Sequence, residues 1–201
     1  MTARFSVTPA APAVFVDRDD TILNTSVATR NDPLPGDLAD PAKAALIPGS
    51  AAALVRLKAA GFVIVVYTSQ GSVARGNATL RDCEAVNDAM RRLLQAAAGD
   101  DRLISAVYFC PFHPKGTVAP FNREHTWRKP APGMVTAAAA ELGLDLNRSW
   151  AVGDKPRDVE AAVNAGIARG RTVLVGTSGE PAAQAGDLSA AADAILASLR
   201  G

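Results

Sequence analysis

Cysteine is scarce in this sequence, long apolar runs are missing, and charge of either sign never accumulates into a block. No uninterrupted apolar stretch in the 201 residues approaches the roughly 20 needed to cross a bilayer, so no membrane partner is expected. The two cysteines, Cys83 and Cys110, form no CxxC pair, which argues against a disulfide framework and for buried thiols. With a net charge of +1 and no basic run, the chain lacks the electrostatic footprint of a nucleic-acid binder. There is no internal repeat, no low-complexity tail and no stretch long enough for a large separate cap domain. The first residues, Met-Thr-Ala-Arg-Phe-Ser, lead almost at once into a strand-like run and leave no room for a cleaved leader. A cytoplasmic location and one compact domain over residues 1–201 are the resulting expectations.

What is present is an alternation. Short β-branched runs at residues 13–17, 62–69, 106–110, 149–154 and 171–176 read as strands. Ala/Leu-rich segments at 50–60, 80–98, 133–142 and 159–165 read as helices between them, and 188–199 as a terminal helix. The pattern predicts an α/β fold: a Rossmann-like three-layer sandwich with a central parallel sheet of about five strands. Two connections are long, 24–48 and 111–130, and loops of that length in a compact domain are usually functional. With no cap, substrate recognition falls to such loops, and the short chain favours a monomer.

In open parallel sheets ligands bind beyond the carboxyl ends of the strands. There the first strand runs into Asp17-Arg18-Asp19-Asp20-Thr21, the second into Thr68-Ser69-Gln70, and the fourth into Asp154-Lys155, with Asp158 shortly after. Arg128-Lys129-Pro130 lies between the third and fourth. Carboxylates gathered on one edge repel one another unless a cation neutralises them, and hard oxygen ligands suit magnesium. A carboxylate screened by that metal can attack phosphorus. Taken singly, each residue has a plainer reading: Asp is common in turns, Arg-Lys-Pro is a weak signal, and Asp158 could serve only a helix dipole.

As a set, these residues resemble the haloacid dehalogenase superfamily of phosphatases, whose first motif is Asp-x-Asp-x-Thr. The resemblance covers nearly the whole chain. It implies that Asp17 is the nucleophile and Asp19 the general acid and base, while Thr68 and Lys129 bind the phosphoryl group. It further implies that Asp17, Asp154 and the backbone carbonyl of Asp19 hold Mg2+, with Asp158 orienting Lys129 or a metal-bound water. The strings Thr68-Ser-Gln-Gly-Ser-Val-Ala-Arg75-Gly76, Cys110-Pro-Phe-His-Pro, Arg128-Lys129-Pro-Ala-Pro-Gly-Met134 and Val152-Gly-Asp-Lys155 narrow the resemblance. They are similar to the D-glycero-D-manno-heptose-1,7-bisphosphate 7-phosphatase family, which also includes histidinol-phosphate phosphatases. That likeness implies a phosphorylated sugar as substrate, contacted by Ser69, Gln70, Arg128 and Lys155.

The chain departs from that family in three places. Many members bind structural zinc through Cys-x-His and Cys-x-Cys, where this sequence has Cys110, Phe112, His125 and Trp127. Even with His113 the candidate ligands number three at most, so a loop without zinc, held by packing of Phe112 and Trp127, is expected. The segment 23–48 is longer than its counterpart and lacks the Asp-His-Gly-Tyr-like element, and Asp20 stands where Gly is common. Two other classes fit less well. A phospho-receiver module places its acceptor Asp on a middle strand and its Lys after the last one. A silent sugar-phosphate binder has no need of both acids of the first motif.

Overall fold

The first strand, β1 (Ala13–Val16), is buried at every residue, as expected of a strand covered on both faces. The computed structural model describes residues 10–176 and 183–200, so the reading of residues 1–6 lies outside the described residues. In chain order β1 is followed by a single helical turn, α1 (Thr25–Ala28), then α2 (Ser50–Ala59), β2 (Val63–Ser69), α3 (Leu80–Ala98) and β3 (Ala106–Cys110). Next come α4 (Gly133–Leu142), β4 (Trp150–Gly153), α5 (Pro156–Asn164), β5 (Thr172–Val175), β6 (Ala183–Ala185) and α6 (Leu188–Ala197).

The strands form one parallel sheet in the order β3-β2-β1-β4-β5-β6. Phe15 pairs with Val65 on one side and Ala151 on the other, which sets the register of the centre. Side chains alternate across it. Val14, Val16, Ile64 and Val66 pack against α2, α3 and α6 through Leu54, Met90 and Ile195. Ala13, Phe15, Val65 and Tyr67 pack against α4 and α5 through Met134, Val135 and Ala162. The three-layer reading holds.

Most boundaries fall within two residues of expectation, and two differences are larger. The sheet gains a sixth, three-residue edge strand whose Ala-Gln-Ala sequence carries none of the β-branched residues that mark a strand. The helix expected from residue 159 starts at Pro156, where the missing N–H costs nothing in the first turn.

The strand order reverses between β1 and β4, opening a crevice at their carboxyl ends. Asp17 sits on its β1 side, with its N–H bonded to the Val152 carbonyl at 2.9 Å, and Asp154 follows β4 on the other. The chain between β1 and α2 contributes only α1 and a short turn, Pro41–Lys43, so this connection places nothing the size of a cap domain over the crevice.

Candidate active site

Immediately after β1 the backbone folds back on itself. The N–H groups of Ile22 and Leu23 both reach the Arg18 carbonyl, at 3.0 and 2.9 Å, and Asp20 takes a left-handed φ of 55°. Glycine adopts that conformation freely; Asp tolerates it because its short side chain can bond locally. Here the Asp20 carboxylate accepts from the N–H of Ser26 at 2.7 Å and from its hydroxyl, which ties α1 to the motif.

The turn sends Arg18 inward, where it is fully buried and donates to Asn87 of α3 at 2.8 Å. Its other nitrogens hold the Asp19 carboxylate at 3.1–3.2 Å. Asp19 also accepts from Thr25 Oγ1 at 2.6 Å, Gln70 Nε2 at 2.8 Å and Thr68 Oγ1 at 3.3 Å. Burial pushes this carboxyl up, but the Arg18 charge and the bonds from Thr25 and Gln70 outweigh it and hold the group below its ordinary value.

Lys129 reaches the same edge from the segment before α4 and is 1% exposed. Its ammonium lies 2.7 Å from Asp17 Oδ1 and 2.8 Å from Asp158 Oδ1, 3.7 Å from the centre of the Tyr67 ring. The other Asp158 oxygen accepts the Lys155 N–H at 2.9 Å at the start of α5. Gly153 makes this possible, since a Cβ there would come within 2.7 Å of Asp158 Oδ2. One ammonium thus faces two buried carboxylates. Burial, together with the charges of Asp158 and Asp19, pushes Asp17 up to about 8 despite Lys129. Burial also raises Asp154, against the pull of Lys155, whose ammonium is 2.6 Å from Asp154 Oδ2.

Asp17, Asp154 and Asp158 each offer an oxygen within 4.8 Å of the others. Three crowded carboxylates, two of them with raised affinity for a proton, form a donor set that fits a hard divalent cation. The Asp19 carboxylate is outside that cluster, committed to its four donors.

A cleft of about 270 Å3 opens over these groups. Asp17, Asp19, Thr68, Ser69, Arg128, Lys129, Asp154, Lys155 and Asp158 all line it. Ser69 Oγ is buried and has no hydrogen-bond partner among the described residues. Gln70 is not among the lining residues; its amide nitrogen is spent on Asp19 and on Thr68 Oγ1, 3.0 Å away.

The segment following β3 is held by rings. Phe112 stacks on His125 with centroids 4.1 Å apart and planes at 5°, and Trp127 meets Tyr108 edge-on at 5.8 Å. Cys110 is buried, with Sγ 3.9 Å from the Phe112 carbonyl.

Sequence reasoning missed Arg18, Asn87, Thr25, Asp37 and Arg157. Asn87 had a signal: it is a polar residue on the buried stripe of α3 marked by Cys83, Val86, Met90 and Leu94. Asp37 had none.

An acid pair after the first strand, a hydroxyl at the end of the second, a lysine before the fourth and further acids beyond it reach one edge in the order used by haloacid dehalogenase-like phosphatases. That is the class that fold and site define. Residues 126–201 match the family model described as HAD-hydrolase-like. The chain is 38% identical over 193 residues to D-glycero-beta-D-manno-heptose-1,7-bisphosphate 7-phosphatase of Yersinia pestis, covering 96% of this chain and 94% of that one. Identity to the enzyme of the same name from Escherichia coli K12 is 37%, over 94% of this chain and 91% of that one. D,D-heptose 1,7-bisphosphate phosphatase from B. bronchiseptica, solved with magnesium and phosphate, superposes with a TM-score of 0.72 at 30% identity, covering 93% of this chain and 99% of that one. The chain belongs to the family of haloacid dehalogenase-like heptose-bisphosphate phosphatases.

Proposed function

We propose that this phosphatase removes the 7-phosphate of D-glycero-D-manno-heptose 1,7-bisphosphate, the β anomer in particular, through an aspartyl-phosphate formed on Asp17. The observation that carries the chemistry is Asp17 held by Lys129 beside the oxygens of Asp154 and Asp158 at the β1–β4 crevice. The substrate rests on the likeness to relatives that bear that name.

An Asp17 oxygen attacks phosphorus and the bond to the sugar oxygen breaks. Asp19 gives its proton to the departing alkoxide, then takes one from the water that cleaves the acyl phosphate, help worth roughly 10²–10⁴-fold. Lys129 and Thr68 offset charge on the phosphoryl oxygens, with the orphan Ser69 hydroxyl as a further donor. Asp158 fixes Lys129, while Gln70 fixes Asp19. Arg128 and Lys155 face the rest of the substrate, where arginine gives a planar fork and lysine a point charge.

Asp17, Asp154 and the Asp19 carbonyl would hold magnesium, which supplies the positive charge that keeps Asp17 ionised and screens it from the phosphate. That charge is needed. Without it the raised Asp17 is protonated and the lowered Asp19 ionised, the reverse of what the first step requires. An arriving phosphate dianion raises Asp19 in turn.

The test is kcat/KM with magnesium for both anomers of the heptose bisphosphate, for histidinol phosphate and for simple hexose phosphates, with Asp17→Asn as the blank. A marked preference for the β anomer and a silent blank are expected. Comparable weak rates on all substrates would remove the heptose assignment, and turnover by Asp17→Asn would remove the covalent mechanism.

A further inference from the structure

The rim of the cleft carries more positive charge than the proposed chemistry uses. Arg75, Arg128 and Arg157 all line it. Among the described residues Arg128 and Arg157 make no ion pair, whereas Arg75 is engaged. Its Nη2 donates to both oxygens of Asp37, at 2.7 and 2.9 Å, and Asn77 adds a bond to the same carboxylate at 3.3 Å.

This pairing is built into the fold. Leu38, next to Asp37, is buried in the core, and the N–H of Gly36 on the other side is held by the buried Thr29 hydroxyl at 2.8 Å. Opposite, the Arg75 guanidinium lies over Gly71, where a Cβ would stand 3.1 Å from both Arg75 Nη1 and His113 Cδ2. The side chains of Arg75 and Asp37 are 37% and 20% exposed, so a ligand in the cleft can reach them. With both of its oxygens on Nη2, Asp37 takes up the hydrogen bonds that this nitrogen would otherwise give to a phosphoryl group. Asp37 belongs to the long connection 24–48.

We propose that Asp37 is a specificity-determining residue that withholds the Arg75 guanidinium from the second anionic group of a phosphorylated substrate. A bisphosphate must compete with Asp37 for Arg75; a substrate with a neutral far end does not. The inference rests on the phosphatase reading and on Arg75 and Asp37 facing the end of the substrate that keeps its phosphate.

The experiment compares heptose 1,7-bisphosphate with heptose 7-phosphate, the same sugar without the second phosphate, using the magnesium-loaded full chain. Asp37→Asn is expected to raise the ratio of the two kcat/KM values about fivefold in favour of the bisphosphate, the scale of one half-exposed ion pair. The gain should vanish in Asp37→Asn/Arg75→Gln. Because the ratio is taken on one preparation, partial misfolding cannot produce it. An unchanged or falling ratio in Asp37→Asn, or a gain that survives loss of Arg75, would overturn the proposal while leaving the phosphatase reading intact. Failure of the wild type on both substrates, or turnover by Asp17→Asn, would remove the reading and the proposal with it.

Discussion

Lys129 compensates two carboxylates at once, and that makes it the residue on which the site's integrity rests. Its ammonium is buried within 2.7 and 2.8 Å of Asp17 and Asp158. Taking away one partner of a buried charge set costs about 3–5 kcal/mol, because the charges left behind have neither water nor a counterion. Lys129→Met is therefore expected to lose about that much stability in metal-free urea unfolding, and to lose turnover as well. Adding Asp158→Asn should restore much of the stability, since without metal Asp17 holds its proton and Asp158 is the charge left stranded, but not the turnover. A Lys129→Met protein as stable as the wild type would show that the ammonium is not what holds these carboxylates together.

At the scale of elements, two helix starts carry different duties. α3 begins with a capping box in which Thr79 Oγ1 accepts from the Asp82 N–H at 3.1 Å and the Asp82 carboxylate accepts from the Thr79 N–H at 2.8 Å. Thr79→Ala should cost about 1 kcal/mol in urea unfolding with kcat/KM unaltered. α5 begins with Asp158 pressed against Gly153, so Gly153→Ala should push Asp158 off Lys129. Its expected cost is about 1–3 kcal/mol together with a fall in kcat, and full activity in that variant would mean the turn yields without moving Asp158. The same contrast explains what was legible in the sequence. Strands β1, β2, β4 and β5 were readable because burial on both faces demands continuous apolar runs, partly buried β3 because its Ala-Val-Tyr-Phe-Cys run is apolar too, and the cleft floor because its acids follow such runs directly. β6 was not, since edge pairing by Ala-Gln-Ala leaves no trace in composition. The start of α5 was hidden because Pro-Arg-Asp reads equally as loop. Asn87 left a trace as a polar residue on a buried stripe, but its pairing with Arg18, and that of Asp37 with Arg75, were out of reach because each pair is made by the path of the chain in space.

For the molecule as a whole the net charge is only +1, yet six carboxylates, from Asp17, Asp19, Asp20, Asp37, Asp154 and Asp158, line one cleft. The electrostatic cost of the fold is concentrated there, and it should appear as a pH dependence of global stability. Asp17 is raised from 3.8 to about 8, chiefly by burial, so the folded state holds its proton more tightly than the unfolded chain. Its contribution is complete below the unfolded value and is lost as pH rises through the folded one; Asp154, also raised by burial, acts in the same direction. His113 and His125, held below the usual imidazole range mainly by burial, act with opposite sign near neutrality. The proper reference is therefore Asp17→Asn, which keeps both histidines. Metal-free wild type should lose on the order of 2 kcal/mol relative to Asp17→Asn between about pH 5 and pH 8. Magnesium held, as proposed, by the ionised carboxylates of the folded state should raise Tm more at the upper end of that range than at the lower. Parallel pH profiles for the two metal-free proteins would show that Asp17 is already ionised without a metal, and would leave the cation a role in the reaction alone.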